Sequence, residues 1–332
     1  MTLADVADYA GVSASTASRA LNGRGELAQQ TREAVLQAAA ALQFQPSALA
    51  RSLRMRTTFT VGFVVPDVAS PFYATCLKGA QQALEEAGYR VMLMDSEQTP
   101  DGEVAALKTL LAHRVDGLLV ATTGLSTAEF AEVVDRGTPC VFFDSLVPDT
   151  GAGAVGLAND EGIETLVDHL AGHGHRRIAL LAGSQAETSG RERLTAFRDA
   201  TGTRGLAAGL VRICRWTQED GRRATLELLD GAHPPTAVLA SSAELALGCL
   251  AACRERGLSL PDDLALASFD DPYFGGLLEP PLTAVGYDPA EVGSAAATLL
   301  VEAIRDPGAE RRELRIPVTL VRRRSCGCEE AT

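Results

Sequence analysis

The sequence predicts a small all-α unit at the N-terminus, joined by a linker to a larger α/β body made of two lobes with parallel sheets. Three observations lead to this prediction. Residues 2 to 44 are helical in period, with turn residues between the helical stretches. From Phe59 onward, short β-rich runs alternate with helical stretches, which is typical of parallel sheets covered by helices on both faces. At 332 residues, the chain is also long enough for two or three domains.

The N-terminal unit shows three helix starts. Thr2 and Asp5 form a capping pair in front of the first helix. Ser13 precedes a second helix, which we expect over residues 14 to 21, and a third is expected from about residue 29 to 42. These elements predict a compact helical unit with two closely connected first helices.

The body is expected to contain eight or more strands. Those that the sequence marks are Thr60 to Val65, Val91 to Met94, Gly117 to Ala121, Cys140 to Phe143, Ile178 to Ala182, Val211 to Cys214, Ala237 to Ala240 and Leu264 to Ser268. So many strands over about 270 residues favour two lobes over a single sheet. In this architecture ligands bind in a cleft at the carboxyl ends of the strands.

The sequence also suggests where the domains divide. The predicted parts are a helical headpiece over 1–45, a short helix and linker over 46–58, a first lobe formed by 59–158 with 287–317, and a second lobe formed by 159–286 with 318–332.

Charge is unevenly distributed along the chain. The net charge is −13, yet the first 58 residues carry six arginines against four carboxylates, a net +2, which leaves −15 for the rest. This asymmetry favours a head that touches phosphate and a body that repels nucleic acid.

Composition excludes several classes of protein. No apolar run approaches the roughly 20 residues of a membrane span, and no secretory signal is recognisable, so we expect a cytoplasmic, nucleoid-associated protein without a membrane partner. Seven cysteines, an odd number, indicate free thiols rather than a disulfide framework.

The sequence contains histidine and cysteine pairs and a glycine-rich stretch that bear on metal and nucleotide binding. Three pairs have spacings that can bind zinc: His169 with His173, Cys249 with Cys253, and Cys326 with Cys328. In sequence, no pair is accompanied by the further ligands of a complete site, so neither a metal nor a cofactor is expected. The glycine-rich stretch from Gly151 to Gly156 lacks the lysine of a phosphate-binding loop and the placement of a dinucleotide fingerprint.

The segments Thr2 to Ser13 (TLADVADYAGVS) and Ser18 to Gly23 (SRALNG) closely resemble the headpiece of the LacI family of bacterial regulators. The resemblance implies a helix-turn-helix whose second helix enters the major groove of DNA. In that position Arg19 would donate two hydrogen bonds to guanine, and the hydroxyls of Ser13 and Thr16 would contact phosphate. The implied DNA contacts in this part are Thr2, Ser13, Ala14, Ser15, Thr16, Ser18, Arg19 and Asn22. The alternative is a helical hairpin used only for packing.

Residues Pro46 to Leu53 resemble the hinge helix of the same family. The resemblance implies that this helix pairs with its twin in a dimer and enters the minor groove, with Leu53 as a wedge between base pairs and Ala50 and Arg51 beside it. So short a helix does not hold together alone in water, so its folding can depend on DNA. The alternative is an ordinary amphipathic turn that buries Leu49 and Leu53.

The body extends the resemblance. The matching segments are Ser70 to Tyr73, Phe143-Asp144, Ala158 to Gly162, Gly172 to Ala179, Arg193-Leu194, Ser268 to Asp271 and Arg324 to Gly327. They imply a periplasmic-binding-protein-like effector domain whose ligand lies between the lobes. The implied effector contacts are Phe72, Tyr73, Asp144, Ser189, Arg193, Trp216, Ser242 and Asp270. Carboxylates that accept hydroxyl protons, together with an arginine that donates, suit a sugar.

Taken together, the resemblance implies a transcriptional repressor, not an enzyme. It would bind double-stranded operator DNA as a homodimer, under allosteric control by a sugar or sugar derivative. Three alternatives are an enzyme on a similar frame, a free solute-binding protein, and a regulator controlled by a phosphocarrier-type protein. The first lacks a recognisable catalytic motif, and the second does not explain residues 1 to 53.

Overall fold

The structure is a computed structural model, which describes residues 1–21, 27–44, 57–135, 137–206, 210–308 and 310–329. The chain divides into two compact units, Met1–Phe59 and Thr60–Thr332. Four predicted DNA contacts lie outside the described residues: Asn22, Ala50, Arg51 and Leu53.

The first unit is helical. Its helices are α1 (Leu3–Tyr9), α2 (Ala14–Leu21) and α3 (Gln29–Ala41). The predicted capping pair is present, since the Thr2 amide donates to Asp5 Oδ2 over 2.7 Å and the Asp5 amide donates to Thr2 Oγ1 over 3.3 Å. One fully buried residue from each helix, Val6, Ala17 and Val35, forms the centre of a small core.

The second unit holds two six-stranded sheets. The strands of the first are β1 (Thr60–Val65), β2 (Arg90–Asp95), β3 (Gly117–Val120), β4 (Cys140–Phe143), β5 (Gly153–Leu157) and β11 (Glu313–Ile316), in the order β11-β5-β4-β3-β1-β2 and all parallel. Those of the second are β6 (Ile178–Ala182), β7 (Val211–Ile213), β8 (Ala237–Ala240), β9 (Ala265–Ser268), β10 (Thr283–Gly286) and β12 (Thr319–Val321), in the order β12-β10-β9-β8-β6-β7. Here only β12 runs antiparallel to its neighbour.

Helices pack on the sheets. They are α4 (Pro71–Glu86), α5 (Pro100–Ala112), α6 (Thr127–Val133), α7 (Asn159–Gly172), α8 (Thr188–Thr203), α9 (Gln218–Leu229), α10 (Ala243–Arg256) and α11 (Pro289–Arg305). Strands covered in this way are buried on both faces, which explains uninterrupted apolar runs such as Gly-Leu-Leu-Val in β3. No helix in the described part of the chain is both long and apolar enough to cross a membrane.

The predicted fold class is confirmed, and all eight strands that the sequence marks are found to within one residue. Four strands were not predicted: β5, β10, β11 and β12. Through them the chain passes from one sheet to the other three times, after β5, after β10 and between β11 and β12. Two of these passages are joined by a hydrogen bond from the Ala158 amide to the Ile316 carbonyl, 3.0 Å long.

Candidate ligand cavity and nucleic-acid interface

A cavity of about 550 Å³ lies at the carboxyl ends of strands from both sheets. All eight residues predicted to contact a ligand line it: Phe72, Tyr73, Asp144, Ser189, Arg193, Trp216, Ser242 and Asp270. These residues come from segments far apart in sequence, and the two sheets bring them together. The size of the cavity and its mixture of aromatic and charged walls are those of a small-molecule site.

Asp144 and Tyr73 form one polar corner of the cavity. Asp144 follows β4, and the Tyr73 hydroxyl, at the start of α4, donates to its Oδ2 over 3.0 Å. Burial raises the pKa of the Asp144 carboxyl, against the opposing effect of the Arg193 charge. The backbone of Asp144 has a φ of 63°, a conformation that costs free energy in a residue other than glycine and that recurs at functional sites.

Arg193 is a buried cation in the cavity wall, only 4% exposed. Its Nε donates to Asn159 Oδ1 over 2.8 Å, and its Nη1 donates to the Ser241 carbonyl over 2.5 Å. The guanidinium carbon lies 3.8 Å from the centroid of the Phe269 ring, within the range of a cation–π contact. These contacts fix the plane of the guanidinium and leave Nη2 without a hydrogen bond to any residue that the structure describes. A ligand can accept from this group.

Asp270 follows β9 and faces the cavity from the second sheet. Its carboxylate accepts from the Tyr287 hydroxyl over 2.5 Å and from the Ala243 amide over 3.2 Å. Burial raises the pKa of Asp270 to about 7, with Arg193 opposing the shift and Glu244 adding to it. The residue has a φ of 141°, so it is the second strained acidic residue in the cavity.

Trp216 forms a flat wall. Its indole lies directly against Gly183, where an added Cβ would come within 1.9 Å of Cη2, so only glycine admits the ring at this place. The indole Nε1 donates to Glu187 Oε1 over 2.9 Å. Burial, followed by the charge of Asp144, raises the pKa of Glu187 to about 7. The contact with Gly183 and the hydrogen bond to Glu187 together fix the orientation of the Trp216 ring.

The raised pKa of Glu187 leads to a prediction about stability. The carboxyl has an ordinary pKa of 4.5 and a value of about 7 in the folded chain, so the folded state holds an extra proton between these two pH values. Raising the pH through this window should therefore lower the free energy of unfolding, by about 3 kcal/mol for this group. Glu187→Gln keeps an acceptor for Trp216, and we expect it to be the more stable form at pH 8.

Urea unfolding curves of both proteins at pH 5.5 and pH 8 test this prediction. Relative to Glu187→Gln, the wild type should have a lower free energy of unfolding at pH 8 than at pH 5.5. A difference that stays constant would show that Glu187 titrates normally in the folded chain.

Serines join the two halves of the cavity. The Ser189 hydroxyl, on α8, lies 2.9 Å from that of Ser145, which follows β4 of the first sheet. Next to it, Thr188 Oγ1 donates to the Leu146 carbonyl over 2.9 Å. Ser242 caps α10 by accepting from the Leu245 amide over 3.3 Å. Ser189 thus links elements of both sheets, while Ser242 is held in place by its own helix.

Tyr287 and Glu187 are among the residues at the site that sequence reasoning missed. Tyr287 lines the cavity and holds Asp270, but it follows β10, a strand that was not predicted. Glu187 holds Trp216 from the segment before α8. No motif marks either residue, and β10, which precedes Tyr287, has no continuous apolar run that would have marked it as a strand.

The candidate nucleic-acid interface lies on α2. Its first residues Ala14 and Ser15, together with Arg19 one turn later, are exposed. Ser13, also exposed, accepts from the Thr16 amide over 3.2 Å, and so caps the helix. Thr2 is exposed at the start of α1, and Thr16 is half-buried. Ser18 differs from the rest of the predicted set, because it is only 9% exposed.

Comparison with known proteins supports both regions. Residues 2–47 match the family model of bacterial regulatory proteins of the lacI family, and residues 167–326 match that of the periplasmic binding protein-like domain. The ribose operon repressor of Halalkalibacterium halodurans is 30% identical over 96% of this chain and 95% of its own length.

Solved structures agree. The lac repressor dimer bound to operator and the anti-inducer ONPF matches with a TM-score of 0.88 at 27% identity, over 98% of this chain and 99% of that chain. The complex of the transcriptional regulator CelR with cellobiose matches with a TM-score of 0.73 at 32% identity, over the same shares of the two chains. With a helical headpiece, a two-sheet body and relatives that match along nearly their whole length, the chain belongs to the lacI family of bacterial regulatory proteins.

Proposed function

We propose that this protein is a repressor of transcription, which binds operator DNA as a homodimer and changes its affinity for that DNA when a sugar or sugar derivative occupies the cavity. The observation that carries the proposal is the convergence of Asp144, Arg193, Trp216 and Asp270 on one cavity in a chain with a helix-turn-helix. A DNA-binding regulator of this kind acts in the cytoplasm, where its operator is.

The chemistry of the cavity favours a polyhydroxylated ligand. The two carboxyl groups accept hydroxyl protons, and the free Nη2 of Arg193 donates to hydroxyl or ring oxygens. The face of Trp216 provides an apolar surface for the C–H face of a sugar ring. The CelR relative is solved with cellobiose, and another relative represses a ribose operon, which agrees with this choice of ligand.

The headpiece supports the proposed contact with DNA. Ser13 and Thr16 lie at the start of α2, where their hydroxyls and the helix N-terminus suit phosphate. Arg19 is free to reach a base edge from the exposed face. The proposed contacts of Asn22, Ala50, Arg51 and Leu53 lie outside the described residues. For Ser18, burial favours packing within the headpiece.

Control of DNA binding would act through the two lobes, whose proposed boundaries lie near residues 158, 287 and 317. A ligand that contacts Asp144 on one side and Asp270 on the other draws the two lobes together. In a homodimer this movement changes the separation of the two segments that lead to the headpieces. Coupling of this kind is typically worth about 1–3 kcal/mol, so operator affinity should change by roughly 5- to 150-fold.

We propose no catalytic activity. The carboxyl groups of the cavity are held by Tyr73 and Tyr287, and the relatives are named as regulators. An enzyme on this frame would need an activated nucleophile or a metal-bound water beside the ligand. Incubation of the purified protein with the bound sugar, followed by analysis for altered sugar, tests this point. Recovery of unchanged sugar is expected, and turnover would contradict the assignment.

A two-part experiment tests the proposed function. Trp216 is the only tryptophan, so its fluorescence can be followed against a panel of pentoses, hexoses, disaccharides and, as planar competitors, nucleobases. We expect a sugar to change the emission with saturation. The same sugar should change the binding of the protein to the DNA upstream of its own gene. A panel without any response would contradict the ligand class, and a protein that binds no neighbouring promoter would contradict repression.

A further inference from the structure

Four potential metal ligands meet at one place on the second sheet's side of the body. They are His169, His173, Cys326 and Cys328, and their ligand atoms all lie within 4.8 Å of one another. Two of the pairs that the sequence presents separately, each without further ligands, are therefore brought together by the fold. Among the residues that the structure describes, this is the one group of three or more histidines, cysteines and carboxylates close enough to hold a metal ion.

We propose that these four side chains form a structural zinc site. Three of the distances between ligand atoms fit a tetrahedral ion, and the distance of 3.1 Å between Cys326 Sγ and His169 Nε2 is shorter. Zinc bonds of about 2.3 Å to sulfur and 2.0–2.1 Å to nitrogen place two sulfurs about 3.8 Å apart and a sulfur and a nitrogen about 3.5 Å apart. The Sγ atoms of Cys326 and Cys328 are 3.5 Å apart, and Cys328 Sγ lies 3.5 Å from His169 Nε2 and 3.4 Å from His173 Nε2.

Local structure explains why the four groups converge. His169 lies in the last turn of α7 and His173 caps its end, so the two rings, four residues apart, lie on one face with centroids 4.8 Å apart. Cys326 ends a 3₁₀ turn and Cys328 follows after Gly327, whose φ of 100° strongly favours glycine. This tight turn places both sulfurs next to the end of α7.

The four ligand atoms form one connected group of close contacts, in which Cys328 Sγ approaches His169, His173 and Cys326 at once. A central cation that binds two thiolates and two imidazoles accounts for all these approaches together. Two sulfurs and two nitrogens in tetrahedral geometry favour zinc over the harder divalent ions.

The proposed role is structural. Four protein ligands complete the coordination of zinc and leave no position for a substrate or an activated water. Cys326 is fully buried and His173 is exposed, so the site has a closed inner side and a path from solvent. The ion would fasten the end of the chain, beyond β12, to the end of α7.

Metal analysis of the full chain tests this site. The protein is purified without a histidine tag, with its thiols kept reduced, and its zinc content is measured before and after dialysis against a chelator. We expect one zinc per chain, and cobalt(II) in its place should show the absorption of a tetrahedral thiolate site. Loss of zinc should lower the melting temperature by about 5 °C or more.

Two single substitutions and a control complete the test. Cys328→Ser and His173→Gln each remove one ligand at a partly accessible position, and we expect zinc affinity to fall more than about 100-fold. His233→Gln, an exposed histidine away from the cluster, should bind zinc as the wild type does. Equal zinc binding by the wild type and both ligand variants would overturn the proposal. So would a reduced wild-type chain that gives no cobalt spectrum.

Discussion

Replacing Arg193 by methionine is expected to weaken sugar binding by roughly 10- to 150-fold. Arg193 is the buried cation of the cavity, and its Nη2 is directed to no other residue described. A hydrogen bond to a charged group is worth about 1.5–3 kcal/mol, and a ligand would lose at least one. Methionine keeps an unbranched apolar side chain at this position, so the loss should come mainly from charge and hydrogen bonding rather than from an empty volume.

The substitution should also change the two acids that face Arg193. Burial raises the pKa of both Asp144 and Asp270, and the arginine opposes that shift. Without the arginine, both carboxyl groups should keep their protons to higher pH than they do in the wild type. Because protonated Asp144 and Asp270 carry no unpaired buried charge, we expect the substitution to lower the free energy of unfolding by only about 1–3 kcal/mol.

Calorimetric titration with the sugar found in the fluorescence panel measures the effect. Arg198→Met is the matched control, because Arg198 is exposed on the same helix α8 and should not affect binding. Circular dichroism of both variants shows whether the body stays folded. If Arg193→Met binds the sugar as tightly as Arg198→Met does, the guanidinium is only a structural group and the proposed ligand contact is wrong.

Residues that line the cavity can be predicted from the sequence when they come just after strands that the sequence marks. Asp144 comes directly after β4 and Asp270 two residues after β9, and parallel strands all end at one edge of a sheet. Each strand with a continuous apolar run was found to within one residue. The prediction fails for β5 and β10, which contain glycine and alanine and lack such a run, for β11, where charged and apolar residues alternate, and for β12, which has only three residues.

Contacts between distant segments are what the sequence hides. Tyr287 reaches Asp270 because β10 pairs with β9, and the sequence does not show which strands pair in the sheet. The zinc ligands give the clearest case. His169 and Cys326 are 157 residues apart in the chain, yet their ligand atoms lie 3.1 Å apart. The spacing of each pair is visible in the sequence, but only the fold shows that one pair completes the other.

In the headpiece, the expected result is a selective loss of operator binding when Arg19 is replaced. Arg19 is the one arginine of α2, and its side chain is exposed beside the small residues Ala14 and Ser15. With such short neighbours, the guanidinium should provide most of the direct reading of bases by this helix. A bidentate contact with guanine is worth about 1–3 kcal/mol, and a dimer makes two, so Arg19→Ala should weaken operator binding by roughly 30-fold or more.

Arg19→Lys distinguishes contact with a base from contact with phosphate. Lysine keeps the charge but lacks the planar fork of arginine, so it replaces a phosphate contact far better than a bidentate base contact. If Arg19 reads a base, both variants should lose operator affinity while their binding to unrelated DNA changes little. If Arg19 contacts phosphate, Arg19→Lys should bind almost as the wild type does, and Arg19→Ala should lower the salt dependence of all DNA binding by about one unit of slope per contact.

Fluorescence anisotropy on an operator fragment and on a shuffled fragment, over a series of salt concentrations, separates these outcomes. Gln37→Ala, at an exposed position on α3, controls for general effects on the headpiece. The base-reading assignment requires the ratio of operator to shuffled affinity to fall in both Arg19 variants. An unchanged ratio would mean that α2 does not discriminate between sequences through this residue. Specificity would then have to come from the energy of deforming the DNA, to which the segment around Leu53 is expected to contribute.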